Sequence, residues 1–155
     1  MIVDIPGFKK VDIKNVVFDY NGTLAKDGKL KDSTKELLKK VCENFKVFVI
    51  TSDTFGSVQK ELKDFNLSIK ILQSDNHTKE KESFIKSFKD SDIVSFGNGN
   101  NDALMLKASS ISIAIIEGEG CSKEALLNST LICKDIDDAI NLLLNPKRLI
   151  ATLRK

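Results

Sequence analysis

The stretch that decides the fold is Val16-Val17-Phe18-Asp19-Tyr20-Asn21-Gly22-Thr23-Leu24. Its first three residues are continuously apolar and β-branched or aromatic, which is typical of a strand buried on both faces of a sheet. Asn21-Gly22 is a turn signal, so the strand should end near Asp19. A carboxylate at a strand end, surrounded by turn backbone, can attack a phosphorus atom and form an aspartyl phosphate. The alternative is an ordinary strand that ends in an Asp turn.

Short apolar runs alternate with longer amphipathic stretches along the chain. The predicted strands are 15–20, 46–51, 69–72, 92–96, 111–116 and 130–133. The predicted helices are 33–44, 55–64, 79–89, 101–108, 121–128 and 135–144. Apolar strands that alternate with amphipathic helices predict an α/β domain: a three-layer, doubly wound, mainly parallel sheet with helices on both faces. The length of 155 residues fits one domain, 1–155.

Two further predictions concern helix ends. Ser33-x-x-Glu36 has the spacing of a capping box and predicts that the first helix opens at Ser33. The tail 145–155 is predicted to form a surface helix. The leucines just before it, 142–144, and Leu149-Ile150 within it are expected to pack within the domain or on a partner.

Composition excludes several classes of protein. The chain is 41% hydrophobic and 30% charged with a net charge of +2, and its lysines are scattered, so no nucleic-acid partner is expected. No apolar run approaches the length of a membrane span and no signal peptide fits, so no membrane partner is expected. The cysteines 42, 121 and 133 lack C-x-x-C spacing. Free thiols, a reducing compartment and a cytoplasmic location are therefore expected.

Polar residues follow three of the predicted strands. They are Asp19 to Thr23, Thr51-Ser52-Asp53, and Gly97-Asn98-Gly99-Asn100-Asn101-Asp102. Ligands of such sheets bind at the carboxyl ends of the strands, so these residues should converge on one edge. Each segment also has an ordinary alternative, because Thr51 would serve as a helix N-cap and Asn98-Gly99 as a plain turn.

A lysine near the start of the third crossover helix would neutralise a phosphoryl group and its attacking carboxylate. Lys79 and Lys81 both lie there, and their spacing alone does not choose between them. Alternating Lys and Glu also mark solvated helix faces. His77 has no neighbouring Cys or His at ligand spacing and receives no role.

These segments resemble the haloacid dehalogenase superfamily, whose first motif reads Asp-x-Asp-Gly-Thr. They resemble the phosphorylation domain of P-type ATPases more closely, in which the first motif reads Asp-Lys-Thr-Gly-Thr. The later pump motifs are Thr-Gly-Asp, a Lys followed by an apolar pair three and four residues later, Gly-Asp-Gly-x-Asn-Asp-x-x-Met-Leu, and Gly-Thr-x-x-Ala-Lys-Glu-Ala. Their counterparts in this chain are Thr51-Ser52-Asp53, Lys81 with Phe84-Ile85, Gly97 to Leu106, and Gly118 to Ala125.

The resemblance implies a role for each matching residue and favours Lys81 over Lys79. The implied catalytic residues are Asp19 as nucleophile, Asn21, Thr51 and Lys81. The implied phosphate-binding residues are Gly22, Thr51, Ser52, Lys81 and Asn101. The implied cofactor is Mg²⁺. It would be held by Asp19, by Asn21 through its backbone carbonyl, by Asn98, and by Asp102 either directly or through water.

The intervals between the motifs leave no space for the cap domain of many relatives, nor for a pump's nucleotide-binding domain. The resemblance thus implies a capless, P type ATPase-like phosphatase with an open site. Its phosphorylated substrate is unidentified. An open site further implies either a macromolecular substrate or a homo-oligomer in which a neighbour walls the site.

Two asparagines replace carboxylates of the family pattern. Asn21 stands where the phosphatases have their general acid, and an amide cannot exchange a proton near neutral pH. Slow turnover with a bias toward good leaving groups is therefore expected from an Mg²⁺-dependent phosphohydrolase. Asn98 stands where the family has a metal-binding carboxylate, so weak Mg²⁺ affinity is expected. The alternatives are a regulatory module that binds phosphate or accepts a phosphoryl group, and a phosphotransferase.

Overall fold

The computed structural model describes residues 1–53, 56–89 and 91–155. Within these residues, the strands are β1 (Ile2–Ile5), β2 (Lys9–Asp19), β3 (Lys46–Thr51), β4 (Ser68–Ile71), β5 (Asp92–Gly97), β6 (Ile111–Ile115) and β7 (Leu131–Cys133). The helices are α1 (Asp32–Asn44), α2 (Ser57–Leu62), α3 (His77–Lys86), α4 (Ala103–Ala108), α5 (Lys123–Leu127), α6 (Ile136–Leu144) and α7 (Pro146–Leu153). A 3-10 turn at Asn100–Asp102 precedes α4.

The strands form one sheet in the order β4-β3-β2-β5-β6-β7. These six strands are parallel, and β1 pairs antiparallel with β2. From β2 the chain moves outward through β3 and β4, then returns to β5 and moves the other way. The strand order therefore reverses between β2 and β5, where such sheets bind ligands. The predicted α/β class with a mainly parallel, doubly wound sheet is confirmed.

Helices cover both faces of the sheet. Val16 and Phe18 of β2 belong to a large core cluster that includes α1 and α6, and Phe18 stacks on Phe96 at 4.5 Å. Val17 points into a second cluster with residues of α3 and α4. This alternation within one strand explains why β2 is apolar at every position near its end. The described segments between β2 and α3 hold only a short hairpin, α1, β3, α2 and β4, so they contain no cap domain.

The first two strands differ from the prediction. β1 was missed, and β2 begins at Lys9 rather than at residue 15. Val3 and Ile5 are buried while Ile2 and Asp4 are exposed, so β1 has the alternating pattern of a strand with one solvated face. Polar residues at alternate positions interrupt the apolar pattern of β1 and of the first part of β2, so these segments lack the continuous apolar run that marks a strand buried on both faces.

The predicted capping box is wrong. Helix α1 begins at Asp32, and the residue before it makes no side-chain cap. Ser33 and Thr34 instead donate hydrogen bonds to the Asp137 carboxylate, at 2.6 and 2.5 Å, and these bonds join α1 to α6. The local pattern assigned the Ser33 hydroxyl to a helix cap, but the structure places it in a hydrogen bond to Asp137, which is distant in the chain.

The remaining helices keep their predicted places with shifted ends. Helix α2 is shorter than 55–64, whose first predicted residue, Phe55, lies outside the described residues. The tail forms α7 as predicted. Leu149 is only 1% exposed and, like Leu143 of α6, belongs to the large core cluster, so these residues pack within the domain, which is one of the two predicted outcomes. Within the described residues, no helix combines the length and the apolar character that crossing a membrane requires.

Candidate active site

Asp19 is the last residue of β2, and a tight turn follows it. Gly22 has φ +81°, and a Cβ at this position would lie 2.4 Å from Nδ2 of Asn98. The turn thus needs glycine both for its left-handed backbone and for the close approach of the loop after β5. The Thr23 hydroxyl donates to Oδ1 of Asn98 at 3.1 Å. These contacts hold the ends of β2 and β5 together at the point where the strand order reverses.

Lys81 connects these two strand ends electrostatically. Its Nζ donates to Oδ1 of Asp19 and to Oδ1 of Asp102, both at 2.6 Å. The lysine is 1% exposed, so the ammonium is enclosed. Lys79 lies on the solvent side of α3 and pairs with Glu82 at 3.1 Å. Of the two lysines that spacing left open, the structure brings Lys81 to Asp19.

Asp102 is completely buried, and both of its oxygens are hydrogen-bonded. Oδ1 accepts from Lys81, and Oδ2 accepts the backbone N–H groups of Asn98 and Gly99, each at 2.9 Å. The carboxylate therefore closes the loop after β5 and orients Lys81. Two roles toward a metal were predicted for Asp102, a direct one and one through water, and its position behind the lysine favours the second.

A cavity of about 240 Å³ opens above Asp19. Its lining contains Asp19, Asn21, Thr51, Ser52, Lys81, Asn98, Gly99, Asn101 and Glu119. All the residues predicted to act in catalysis therefore line it. Of the predicted phosphate-binding residues, Gly22 does not line it and instead shapes the turn below. The Thr51 hydroxyl accepts the N–H of Asp53 at 3.0 Å, which fixes the loop after β3.

Glu119 is the lining residue that the sequence analysis missed. It lies in the loop after β6, and among the described residues it has no ion pair. The loop is held against the site because Asn98 Nδ2 donates to the Gly120 carbonyl at 3.0 Å, and Ser122 N–H donates to the Asn98 carbonyl at 2.8 Å. The matching Gly118 to Ala125 stretch was the available signal, but it gave no role to this residue.

Burial has the largest effect on the pKa of Asp19. Removal from water and, next, the nearby Asp102 carboxylate raise the pKa of Asp19, while Lys81 and the Thr23 hydroxyl lower it; together these effects bring the pKa to about 7. Burial disfavours the Lys81 ammonium, but the two carboxylates outweigh it and hold the pKa of Lys81 above its usual value. Two carboxylates against one ammonium leave the buried cluster with one excess negative charge when Asp19 is ionised.

The donor atoms around this excess charge suit a hard divalent cation. Asp19 Oδ2 takes no part in the Lys81 ion pair, and Asn21 and Asn98, which carry backbone carbonyl and side-chain amide oxygens, line the same cavity. Oδ1 of Asn98 also accepts the Thr23 hydroxyl. Oxygen ligands of this kind, completed by water, are typical of Mg²⁺. The described residues contain no group of three or more His, Cys, Asp or Glu side chains that could hold a metal, so an ion here would bind the Asp19 carboxylate and otherwise neutral oxygens. The residues therefore fit a divalent cation that prefers oxygen ligands.

Comparison of sequences gives one informative relative. The chain is 48% identical over 62 residues to an uncharacterized protein of Methanocaldococcus jannaschii, which is 40% of this chain and 67% of that protein. The two proteins belong to one family, but the relative brings no assigned activity. No known family profile matches the chain.

Solved structures resemble the fold over most of its length. A phosphoserine phosphatase from T. onnurineus has a TM-score of 0.63 and 17% identity, covering 86% of this chain and 95% of that one. A 3-deoxy-D-manno-octulosonate 8-phosphate phosphatase from Moraxella catarrhalis, solved with magnesium, phosphate and its sugar, has a TM-score of 0.69 and 16% identity, covering 92% and 94%. The cobalt-bound deoxy-D-mannose-octulosonate 8-phosphate phosphatase from Haemophilus influenzae has a TM-score of 0.66 and 13% identity, and the match covers 87% of this chain and 90% of that one. At these identities the likeness establishes the fold.

Proposed function

We propose that this chain, which has the fold of the haloacid dehalogenase superfamily, is a magnesium-dependent phosphohydrolase that works through an aspartyl phosphate on Asp19. The observation that carries the proposal is the position of the Lys81 ammonium. It lies 2.6 Å from both Asp19 and Asp102, below a polar cavity at the point where the strand order reverses. The buried ammonium can balance the charge of a phosphoryl group, and Oδ2 of Asp19, which lies outside the Lys81 ion pair, can attack the phosphorus atom.

In the first step, Oδ2 of Asp19 attacks the phosphorus atom. The new oxygen–phosphorus bond forms as the bond to the leaving group breaks, and the leaving oxygen keeps the electron pair. Lys81 balances the charge of the phosphoryl oxygens, and the hydroxyls of Thr51 and Ser52 donate hydrogen bonds to them. In the second step, water attacks the phosphorus, Asp19 leaves as a carboxylate, and inorganic phosphate is released.

Magnesium would be held by Asp19, the backbone carbonyl of Asn21 and the amide oxygen of Asn98. Bound there, the ion would neutralise phosphoryl charge and orient the phosphate. Asp102 would act indirectly, because both of its oxygens already accept hydrogen bonds. The magnesium and phosphate bound to the Moraxella catarrhalis enzyme, and the cobalt of the Haemophilus influenzae enzyme, support a divalent cation in this fold.

A second candidate function is a phosphoacceptor that releases its phosphoryl group slowly, either to water or to another acceptor. Asn21 favours it, because this side chain lines the cavity but cannot give or take a proton. The two candidates share the attack by Asp19 and differ only in the second step.

The deciding experiment is phosphorylation in Mg²⁺ with ³²P-labelled acetyl phosphate. We expect close to one acid-stable, hydroxylamine-sensitive label per chain on Asp19, and none in Asp19→Asn. The decay rate of the label, compared with steady-state turnover, then separates a hydrolase from a slow phosphoacceptor. Equal labelling and equal hydrolysis in the two proteins would remove Asp19 from this role.

Asn21→Asp should increase turnover of alkyl phosphates. The new carboxyl group would protonate the leaving oxygen and then activate water, and such help is worth roughly 10²–10⁴-fold. Aryl and acyl phosphates, which leave without protonation, should gain less in the first step. Steady-state kcat with both substrate types is the measurement. An unchanged kcat for alkyl phosphates would show that Asn21 does not limit the reaction.

Asn98→Asp should tighten Mg²⁺ binding from about millimolar toward micromolar, because an anionic oxygen replaces a neutral one. The change also removes the hydrogen bond from Asn98 Nδ2 to Gly120, at a cost of about 1 kcal/mol in unfolding free energy. Calorimetric titration of Mg²⁺ in the presence of a phosphate mimic measures the affinity. Micromolar binding already in the wild type would contradict the prediction.

A further inference from the structure

A second cavity lies beside the nucleophile turn, on the side away from β3. Its volume is about 60 Å³, and its lining includes Gly22, Thr23, Lys26, Lys29, Lys31 and Glu119. Glu119 also lines the cavity above Asp19, so the two cavities adjoin. A group attached to a phosphate at Asp19 could therefore extend into the second cavity.

The two lysines nearest the turn are positioned by a tight hairpin. Lys26 and Lys29 exchange backbone hydrogen bonds, each 3.0 Å long, across Asp27 and Gly28, which have φ of 50° and 74°. The Tyr20 hydroxyl donates to the Gly28 carbonyl at 2.8 Å and ties the hairpin to the end of β2. The hairpin follows Asp19 closely in the chain and is hydrogen-bonded to the end of β2. The backbone positions of Lys26 and Lys29 relative to Asp19 are therefore defined.

Lys26 reaches across the second cavity to the loop after β6. A Cβ at Gly118 would lie 2.9 Å from both Cε and Nζ of Lys26, so the side chain packs directly against this glycine. Any larger residue at 118 would displace the ammonium. The glycine therefore makes room for Lys26 at the wall of the cavity.

The charges lining the second cavity do not cancel. Lys31 pairs with Glu117 at 2.6 Å, which leaves Lys26 and Lys29 against Glu119. Within the described residues neither Lys26 nor Lys29 has an ion pair. The three lysines and two glutamates of the lining together carry a net charge of +1. A water molecule needs about 10–15 Å³, so the cavity has room for roughly four waters, or for one carboxylate or phosphate group.

We propose that the physiological substrate carries a second anionic group, a carboxylate or a phosphate, on its leaving group, and that Lys26 and Lys29 bind it while the transferred phosphoryl group lies at Asp19. This inference rests on the proposed function and gives its substrate class. Lysine suits the task because it presents a compact charge on a flexible stem. Glu119, between the two cavities, disfavours an anion placed midway and so helps to set the spacing of the two anionic groups.

The test uses two substrates of nearly equal shape, 3-carboxyphenyl phosphate and 3-carbamoylphenyl phosphate. In the wild type, we expect kcat/KM to favour the carboxylate about 10-fold, a preference that shrinks as salt is added. The double variant Lys26→Met/Lys29→Met should reduce the ratio to about one while keeping activity toward the amide. A control double variant, Lys40→Met/Lys147→Met, removes the same net charge from distant exposed positions and should keep the preference. A third substrate, 3-phosphonophenyl phosphate, tells whether a phosphate-like group is bound better than a carboxylate.

Binding provides a readout that does not depend on turnover. Asp19→Asn cannot be phosphorylated, and calorimetry on it should show the same preference for the carboxylate, again lost in the Lys26→Met/Lys29→Met background. Equal affinity for the acid and the amide, or a preference that survives the loss of both lysines, overturns the inference. If labelling of Asp19 fails but the binding preference holds, the proposed reaction is wrong and the anion site remains.

Discussion

Replacing Lys81 with methionine should lower the free energy of unfolding by about 3–5 kcal/mol at neutral pH. The substitution removes the ammonium that pairs with both Asp19 and Asp102, and the side chains of these two aspartates are only 10% and 0% exposed. Removing one member of a buried ion pair leaves uncompensated charge in a medium of low dielectric, which is costly. Methionine keeps much of the apolar stem, so the loss reports the charge rather than the packing.

The matched control is Lys79→Met on the same helix. Lys79 is 65% exposed and pairs only with Glu82, so its loss should change the unfolding free energy by no more than about 0.5 kcal/mol. Denaturant unfolding in metal-free buffer measures both variants. The deficit of Lys81→Met should shrink as the pH is lowered and Asp19 becomes protonated. Equal stability of the two variants would show that Lys81 does not hold the cluster together.

Replacing Asp19 with asparagine should have two opposite effects. Turnover should fall by a factor on the order of 10³–10⁶, as it does when a nucleophile is removed from other enzymes. Stability should rise by about 1–4 kcal/mol at pH 8 in metal-free buffer, because the buried cluster loses its excess negative charge. Lys81 keeps an amide oxygen as acceptor, and Asp102 still balances its charge.

The sign of the pH dependence follows from the raised pKa of Asp19. Its folded-state pKa is about 7, above the ordinary 3.8, so the folded protein holds a proton that the unfolded chain has already lost. The wild type should therefore lose stability as the pH rises from about 4 to about 7, and Asp19→Asn should lack this part of the slope. Asp64→Asn, at an exposed carboxylate, is the control. A wild-type protein that is more stable than Asp19→Asn at pH 8 would contradict the prediction.

The sequence predicted most of the sheet because burial on both faces leaves a simple pattern. Continuous apolar runs identified β2 to β7 and the helices between them, and the polar residues after β2, β3 and β5 lie at one edge as expected. Local patterns failed where a distant partner decided the structure. Ser33 was predicted to cap a helix but bonds Asp137, 104 residues away in the chain.

The candidate site likewise combines features that local sequence predicts with features that depend on distant partners. The sequence alone determined that a carboxylate ends the central strand. It also determined that Asn21 and Asn98 stand where the family pattern has carboxylates, and that the intervals between the motifs leave no space for a cap domain. Spacing alone left Lys79 and Lys81 open, and the resemblance favoured Lys81. Only the tertiary structure brought Lys81 to Asp19, placed Asp102 behind the lysine, and brought Glu119, Lys26 and Lys29 beside the turn that follows Asp19. The physical reason is that strand ends follow from local periodicity, whereas the partner of a charge depends on which loops the packed sheet brings within about 3 Å.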